Sequence, residues 1–579
     1  MNPNPLSRAR AALFLGAAFA AAPTLLVAET AIEIDPVVVT ANRIEQRTAD
    51  VPARVSVITR ERIEAAQAPD LVELLRLEAG IDLARNGGPG GQTSVFLRGA
   101  NSNHVLVLVD GVRVAASGTG AFTWEILDPA VIERIEIVRG PRAAQWGSDA
   151  IGGVIQIFTR RPEGVSARVA YGSDDDRSVS VALGAGNERN AVDLTASWRD
   201  VGGFSAQNEN GFGFDPDDDG FENRSAALGG RHALASGRLE WRGRVADGEV
   251  EFDQGVSEFT NASLRLDVRD LAFGDWTARI GAGVLSDDLE TENAFGGSEV
   301  GTERVQLDAR GERVLSGMTW LIGADGWRED GESDGQWDES RTSIGVFTGV
   351  EGGDRLGWEA AVRADHDSEF GTELTGNAAL DWRISGAWRA FASAGRGFRA
   401  PTFSQLYSPG FGGLFAGNPD LDPERSRSLE AGLDWRPGQR QLVTLSVYRN
   451  RIDDLIDFSG EDFRAINIKE ARIRGIELAH RYSGDRLWSE ASATWQDPED
   501  LDADRDLLRR AENKYAWSGG WRFAAGHRLG AELVHVGERL DVGGVTLDSY
   551  TLVNLRGSIA LGADWRAEVR IDNLADEDY

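Results

Sequence analysis

Past residue 162, apolar and polar positions alternate one by one. Ser178–Ala185 sets Val179, Val181 and Leu183 on one side and Ser178, Ser180 and Gly184 on the other. Leu239, Trp241 and Val245 alternate with Arg238, Glu240, Arg242 and Arg244, and Leu264, Leu266 and Val268 alternate with Arg265, Asp267 and Arg269. Successive side chains of a strand point to opposite faces, so each strand has one apolar face and one charged face. Strand follows strand, and no helix is predicted in this stretch. Before residue 162 the pattern is mixed. Val51–Thr59 alternates, Leu71–Leu77 has helical spacing with Gly80 as its stop, and His104–Asp110 is a near-continuous apolar strand closed by Gly111. Ile132–Val138 and Val154–Phe158 add two more strands. The pattern predicts a small α/β unit over 42–162 and an all-β body over 163–579.

Alternation alone fits a soluble sandwich with its apolar face inward. Three features favour the inverse, with the apolar face outward. Residues 1–28 contain no acid, carry Arg8 and Arg10, and hold the apolar run Ala11–Ala22. That is a secretory signal, too short to span a bilayer, with cleavage expected near Ala28. Tryptophan recurs at strand ends (Trp198, Trp241, Trp276, Trp320, Trp327, Trp382, Trp388), as an interfacial girdle requires. Connections also alternate in length: Gly186–Asn190 and Ala235–Gly237 are short, Val201–Glu222 and Asp253–Asn261 long. At ~19 residues per strand and connection the body holds about 22 strands, a size whose lumen is plugged. The expected fold is an all-β transmembrane barrel of antiparallel strands with the α/β unit as a plug in its lumen.

Composition narrows the function. The chain has 579 residues and a formal net charge of −32, which argues against a nucleic-acid partner. It has no Cys, which excludes disulfides, thiolate metal sites and Cys nucleophiles. Mean hydropathy is −0.31, and no stretch past residue 28 is apolar enough for a membrane helix. No GxSxG or HExxH sequence is present, so an enzyme is not expected.

Several segments resemble TonB-dependent outer-membrane receptors, most closely the members that carry cobalamin. They are Phe96–Arg113 (FLRGANSNHVLVLVDGVR), Glu133–Arg161, Gly395–Pro401 (GRGFRAP), Asn418–Glu424 (NPDLDPE), Arg472–Leu478 (RIRGIEL) and Ile571–Tyr579 (IDNLADEDY). The resemblance implies active import across the bacterial outer membrane by a monomer embedded in lipid. A ligand binds outside, and the TonB protein with its inner-membrane motor pulls from below. The implied ligand is cobalamin or another corrinoid, with a ferric siderophore as the alternative and a passive porin-like channel as the alternative of another class. Haem is disfavoured, since residues 402–417 hold no His. Members of the family run on past a motif like NLADEDY to a closing strand. The chain stops at Tyr579, so the last strand is expected to be missing.

The resemblance also implies sites. Asp35, Pro36, Val37, Val38, Val39, Thr40 and Ala41 resemble the TonB box, a β-prone segment that can add to a partner's sheet edge. An ordinary first strand of the plug is the other reading. Arg98 and Arg139 of the plug, with Glu430 and Glu477 of the barrel, are expected to form a buried cluster joining plug to wall. Asp215, Asp217 and Asp219, followed by Gly220, have the alternate-carboxylate spacing that wraps a hard cation, and Asp253 is a further candidate ligand for Ca²⁺. An acidic solvated loop accounts for them equally well. Two uncharged plug loops correspond to ligand-contacting loops of the family. They offer Gln92, Thr93, Ser94, Ser117 and Gly118, and their lack of charge suits a large neutral ligand better than an anionic iron chelate.

Overall fold

The computed structural model describes residues 38–39 and 43–579 except 208–210, 212, 295, 411–413, 460–462 and 525. The signal segment and Asp35, Pro36, Val37, Thr40 and Ala41 of the expected TonB box lie outside the described residues. Val38–Val39 pairs antiparallel with Gln46–Arg47.

The plug is built on a five-stranded sheet of Val55–Ile58, Ile132–Arg139, Gly153–Thr159, Val105–Val109 and Val112–Arg113, in that spatial order. Val105–Val109 runs parallel to Gly153–Thr159, and the other neighbours are antiparallel. Five consecutive buried positions in Val105–Val109 explain its unbroken apolar run, because both faces of this strand are covered. Helix Leu71–Arg76 starts at Asp70, whose side chain accepts from the Glu73 N–H, and buries Leu71, Val72, Leu74 and Leu75. A second helix, Arg60–Ala66, follows directly on Val55–Ile58. The sequence pattern missed it because Ile63 and Ala66 are its only buried side chains, too sparse a stripe for a periodic signal. Leu71, Leu75, Ile81, Leu97, Trp124, Ile135, Ile137, Ile155 and Ile157 form the dry core.

The body is one antiparallel sheet of 22 strands in sequence order, from Gly164–Tyr171 to Arg566–Ile571, one of them the two-residue Arg505–Asp506. Its two outer strands are bridged by the Arg168–Glu568 ion pair at 3.3 Å. The faces are inverted relative to a soluble sandwich. Val179, Val181, Leu183, Val245, Leu264 and Leu266 are exposed on the outside, while Glu240, Arg242, Arg244, Arg265 and Asp267 are buried inside. Water-soluble packing would place those charges outward, so only a hydrocarbon surround accounts for the arrangement. Connections 187–189, 234–237, 274–275 and 316–317 are tight turns on one rim, and the opposite rim carries 202–220, 400–423 and 537–549. Trp276, Trp320, Trp382, Trp388 and Trp435 gather at the short-turn rim, with Trp388 and Trp435 stacked at 5.5 Å.

Three expectations need correction. Asp253–Asn261 is not a long loop: Arg238–Phe252 and Gly255–Phe273 meet at a tight turn through Asp253 and Gln254. The polar residues that suggested a loop are strand residues rising past the apolar band. Trp327 is not part of the girdle. It shares the inward face with Asp325 and Glu329, and the Arg304 guanidinium lies 5.8 Å over its ring. A short helix, Phe403–Tyr407, stands in the stretch expected to be all strand, capped by Thr402.

Candidate functional site

The functional geometry lies where plug meets wall. Arg98 ends strand Thr93–Leu97 in a left-handed conformation (φ 52°), followed by Gly99 at φ 71°, which turns its side chain out of the plug. Its Nε donates to Glu477 Oε1 at 2.8 Å and its Nη2 to Glu430 Oε1 at 2.7 Å. The guanidinium also lies 4.4 Å over the Tyr448 ring. Gly80 makes room for this contact: its φ is +69°, and a Cβ there would sit 2.2 Å from Glu477 Oε1.

Arg139 is in the same neighbourhood but is held differently. Its Nη2 donates to the Ala79 carbonyl at 2.7 Å and its Nη1 to Ser56 Oγ at 3.0 Å. Glu78 is 3.6 Å away and Glu477 3.9 Å. Burial therefore pulls Arg139 below its ordinary pKa, whereas at Arg98 burial is outweighed by Glu430 and Glu477 and the pKa rises. Arg139 and Glu430 are not in contact. Glu78 is the carboxylate that sequence reading missed. Burial would raise it, but Arg62 and Arg139 hold it down at about 2. Arg62 bridges Glu78 at 2.9 Å and barrel Glu490 at 2.6 Å.

Other plug-to-wall contacts also escaped the sequence. His104 is fully buried, with Nε2 3.0 Å from Glu424 Oε2, and Glu424 in turn meets Arg399. Its Nδ1 accepts the Asn101 N–H, so Nε2 carries the proton and donates to Glu424. Arg142 reaches Glu359 at 2.7 Å. Nothing local marks these pairs, because the partners are separated by hundreds of residues.

The segment after the expected TonB box is strapped to the wall. Arg43 pairs with Asp325 at 2.7 Å and lies between the rings of Trp146 (4.7 Å) and Phe347 (4.6 Å). Glu45 meets Arg269 at 3.1 Å, Gln46 meets Glu351, and Asp50 meets Arg383 at 2.7 Å.

At the long-loop rim the plug loops are only partly open. Gln92 is exposed and Ser94 half-buried. Thr93 is buried, donating to the Gly91 carbonyl at 3.0 Å. Ser117 is buried too: its N–H donates to Thr302 Oγ1 at 2.9 Å, and its carbonyl accepts from the Phe403 N–H. Gly118 is close against Ser404, Val300 and Trp337. Thr93, Ser117 and Gly118 thus face protein rather than the vestibule, because their polar groups and their lack of bulk serve the plug–wall fit. Gly90 lies so near Phe221 that a Cβ would meet the ring at 2.2 Å, which fastens this loop to the outer wall.

The four aspartates come near one another without forming a cage. Asp215 N–H donates to Asp253 Oδ1 at 2.9 Å, Asp219 Oδ2 accepts from the Ala206 N–H, and Asp217 is exposed. Among the described residues no three acidic or His side chains converge on one point, so the donor set as it stands does not fit an ion. Burial, and then the charges of Asp253, Asp217 and Glu251, push Asp219 above the usual carboxylate range.

A polar lumen stoppered by an α/β plug, with long loops on one rim and a strapped N-terminal segment on the other, defines a gated receptor barrel. The chain belongs to the TonB-dependent receptors of the Gram-negative outer membrane: residues 166–574 match the family "TonB dependent receptor-like, beta-barrel" and residues 47–154 the "TonB-dependent Receptor Plug Domain". Among curated relatives, "Vitamin B12 transporter BtuB" of Photobacterium profundum is 32% identical over 94% of this chain and 92% of its own length. The Vibrio vulnificus protein of the same name is 31% identical over 94% and 91%. Among solved structures, the ferric enterobactin receptor of Pseudomonas aeruginosa matches with a TM-score of 0.76 at 16% identity, covering 90% of this chain and 93% of that one. The siderophore receptor PiuA from Acinetobacter baumannii matches with a TM-score of 0.77 at 14%, covering 94% and 95%. At such identities the structures establish the fold alone. The long-loop rim is extracellular and the short-turn rim periplasmic.

Proposed function

We propose that this receptor imports cobalamin or a related corrinoid, driven by TonB through the segment Asp35–Ala41. The carrying observation is the end-to-end similarity to proteins named vitamin B12 transporters, at 32% and 31% identity. The uncharged upper plug loops support a neutral, bulky ligand over an anionic chelate, and Gln92 and Ser94 are the exposed plug groups able to hydrogen-bond to it. The receptor acts as a monomer in this reading, since the plug is held within a single barrel wall. Calcium at the outer loops belongs to the same proposal: a cation drawing in Asp215, Asp217, Asp219 and Asp253 offsets the acidic charges that add to burial in raising Asp219.

The test is equilibrium binding of cyanocobalamin to the purified full-length receptor, with and without calcium, against ferric enterobactin as competitor. Saturable cyanocobalamin binding that the siderophore does not displace supports the proposal. Binding of the siderophore alone overturns the ligand. Binding indifferent to calcium, and to Asp217→Ala, overturns the cation.

A further inference from the structure

The net charge of −32 is distributed unevenly around the outside of the barrel. Strand register places Arg396, Arg427, Arg451 and Arg472 directly opposite one another on four consecutive strands, in one row. All four project outward. The next residues down the same outer faces are apolar on the first two strands (Ala394, Leu429), and the row beneath continues through Leu429, Arg449 and Arg474. Val447 and Ile476 follow below Arg449 and Arg474. On another face of the barrel, Glu222, Glu249, Glu258, Glu290 and Glu299 form the corresponding row across five strands.

Like charges set directly opposite on a sheet repel, so a row of four guanidiniums is costly without an anion in front of it. Each arginine of the row has a carboxylate within reach, and below it Asp497 pairs with Arg474 at 2.6 Å. Asp453 is 3.8 Å from Arg427 and 3.0 Å from Arg451, Glu470 is 2.5 Å from Arg451, Glu373 is 3.5 Å from Arg396, and Glu499 meets Arg472. Arg427 nevertheless keeps 72% of its side chain exposed, and Arg449 is exposed with no ion pair among the described residues.

Height fixes what the row meets. Trp388 and Trp435 mark the periplasmic interface on the same strands. From there to Arg396 and Arg427 is roughly 26 Å along the strand at ~3.3 Å per residue, or about 20 Å of height at the usual tilt. That is close to the thickness of the apolar band, so the arginines emerge where the outer leaflet presents its headgroups.

We propose that the arginine row Arg396–Arg427–Arg451–Arg472, with Arg449 and Arg474 beneath it, is a docking face for the phosphate groups of a phosphorylated outer-leaflet lipid. The planar guanidinium fork matches a phosphate in two-point contact, and the row offers several forks side by side. The opposite, glutamate-lined face repels the same headgroups, so the receptor holds its lipid on one side.

The test uses the full chain in phosphatidylcholine nanodiscs doped with diphosphoryl lipid A. Lipid retained after exchange is counted by native mass spectrometry. Replacing both Arg427→Gln and Arg451→Gln should weaken retention by about 25-fold, at roughly fivefold per arginine. The Arg427→Lys/Arg451→Lys pair should retain most of it, and Glu258→Gln/Glu290→Gln should not reduce it. Millimolar inorganic phosphate should fail to strip the lipid. Heat-modifiable mobility on gels establishes that each variant is folded. If the Gln pair does not fold, wild-type retention of diphosphoryl against dephosphorylated lipid A decides. Equal retention of the two lipids, undiminished retention by the Gln pair, or stripping by free phosphate overturns the proposal.

Discussion

At the scale of single residues, the plug is held by charges that would be intolerable alone. Arg98 is buried against Glu430 and Glu477. Arg98→Ala leaves both carboxylates stranded and should cost about 3–5 kcal/mol, read as a lowered denaturation midpoint of the full-length receptor. An unchanged midpoint would mean that water replaces the guanidinium without loss. Two plug carboxylates make opposite contributions with pH. Glu78 is held at about 2, below its unfolded value of about 4.3. Its stabilisation is present above that value and is lost as pH falls toward 2. Glu125 is the reverse: burial lifts it to about 8, and its Oε2 has no hydrogen-bond partner among the described residues. Its contribution is full below about 4.3 and drains away as pH rises to 8. Glu125→Gln should therefore raise the melting temperature at pH 8 and leave it nearly unchanged at pH 4, monitored through the adjacent buried Trp124. The sequence made Arg98, Arg139 and Glu477 visible because they sit in distinctive motifs, and Glu430 through the family resemblance. It hid the pairing of Glu78 with Arg139, of Glu424 with His104 and of Asp325 with Arg43, partners far apart in the chain. No local spacing encodes such a pairing.

At the scale of elements, the barrel strands were the most legible part, because a period of two survives any tertiary context. Leu307 is 62% exposed on the outside of its strand, well inside the apolar band. Leu307→Arg should destabilise the folded barrel by about 2–4 kcal/mol, measured by refolding into lipid vesicles. A cost near zero would place that face in water. Period alone fails where strands outrun the membrane. The polar stretch around Asp253 reads as a loop yet is hairpin, since above the headgroups both faces of a strand are wet. Residue type misleads at Trp327, where alternation decides the direction of the ring. Helix Arg60–Ala66 was invisible for a third reason: Arg60 and Arg62 pair with carboxylates and backbone, and only Ile63 and Ala66 are buried.

At the scale of the whole molecule, plug and wall form one body, joined above by Ser117 and Thr302, at mid-height by Arg98, and below by the residues after the expected TonB box. Deleting residues 35–41 should abolish uptake while leaving ligand binding intact, measured as radiolabelled ligand accumulated by cells against ligand retained by purified receptor. Retained uptake would sever this segment from transport.

The order of the lower contacts has a mechanical consequence. Arg43, Glu45, Gln46 and Asp50 each grip a different strand of the wall, so a tug from the N-terminal end loads them in series. They come away one at a time, like stitches from a seam, and the peak force stays near that of the strongest single stitch. A cell-envelope machine of modest strength can then open a stopper whose combined grip it could never overcome at once.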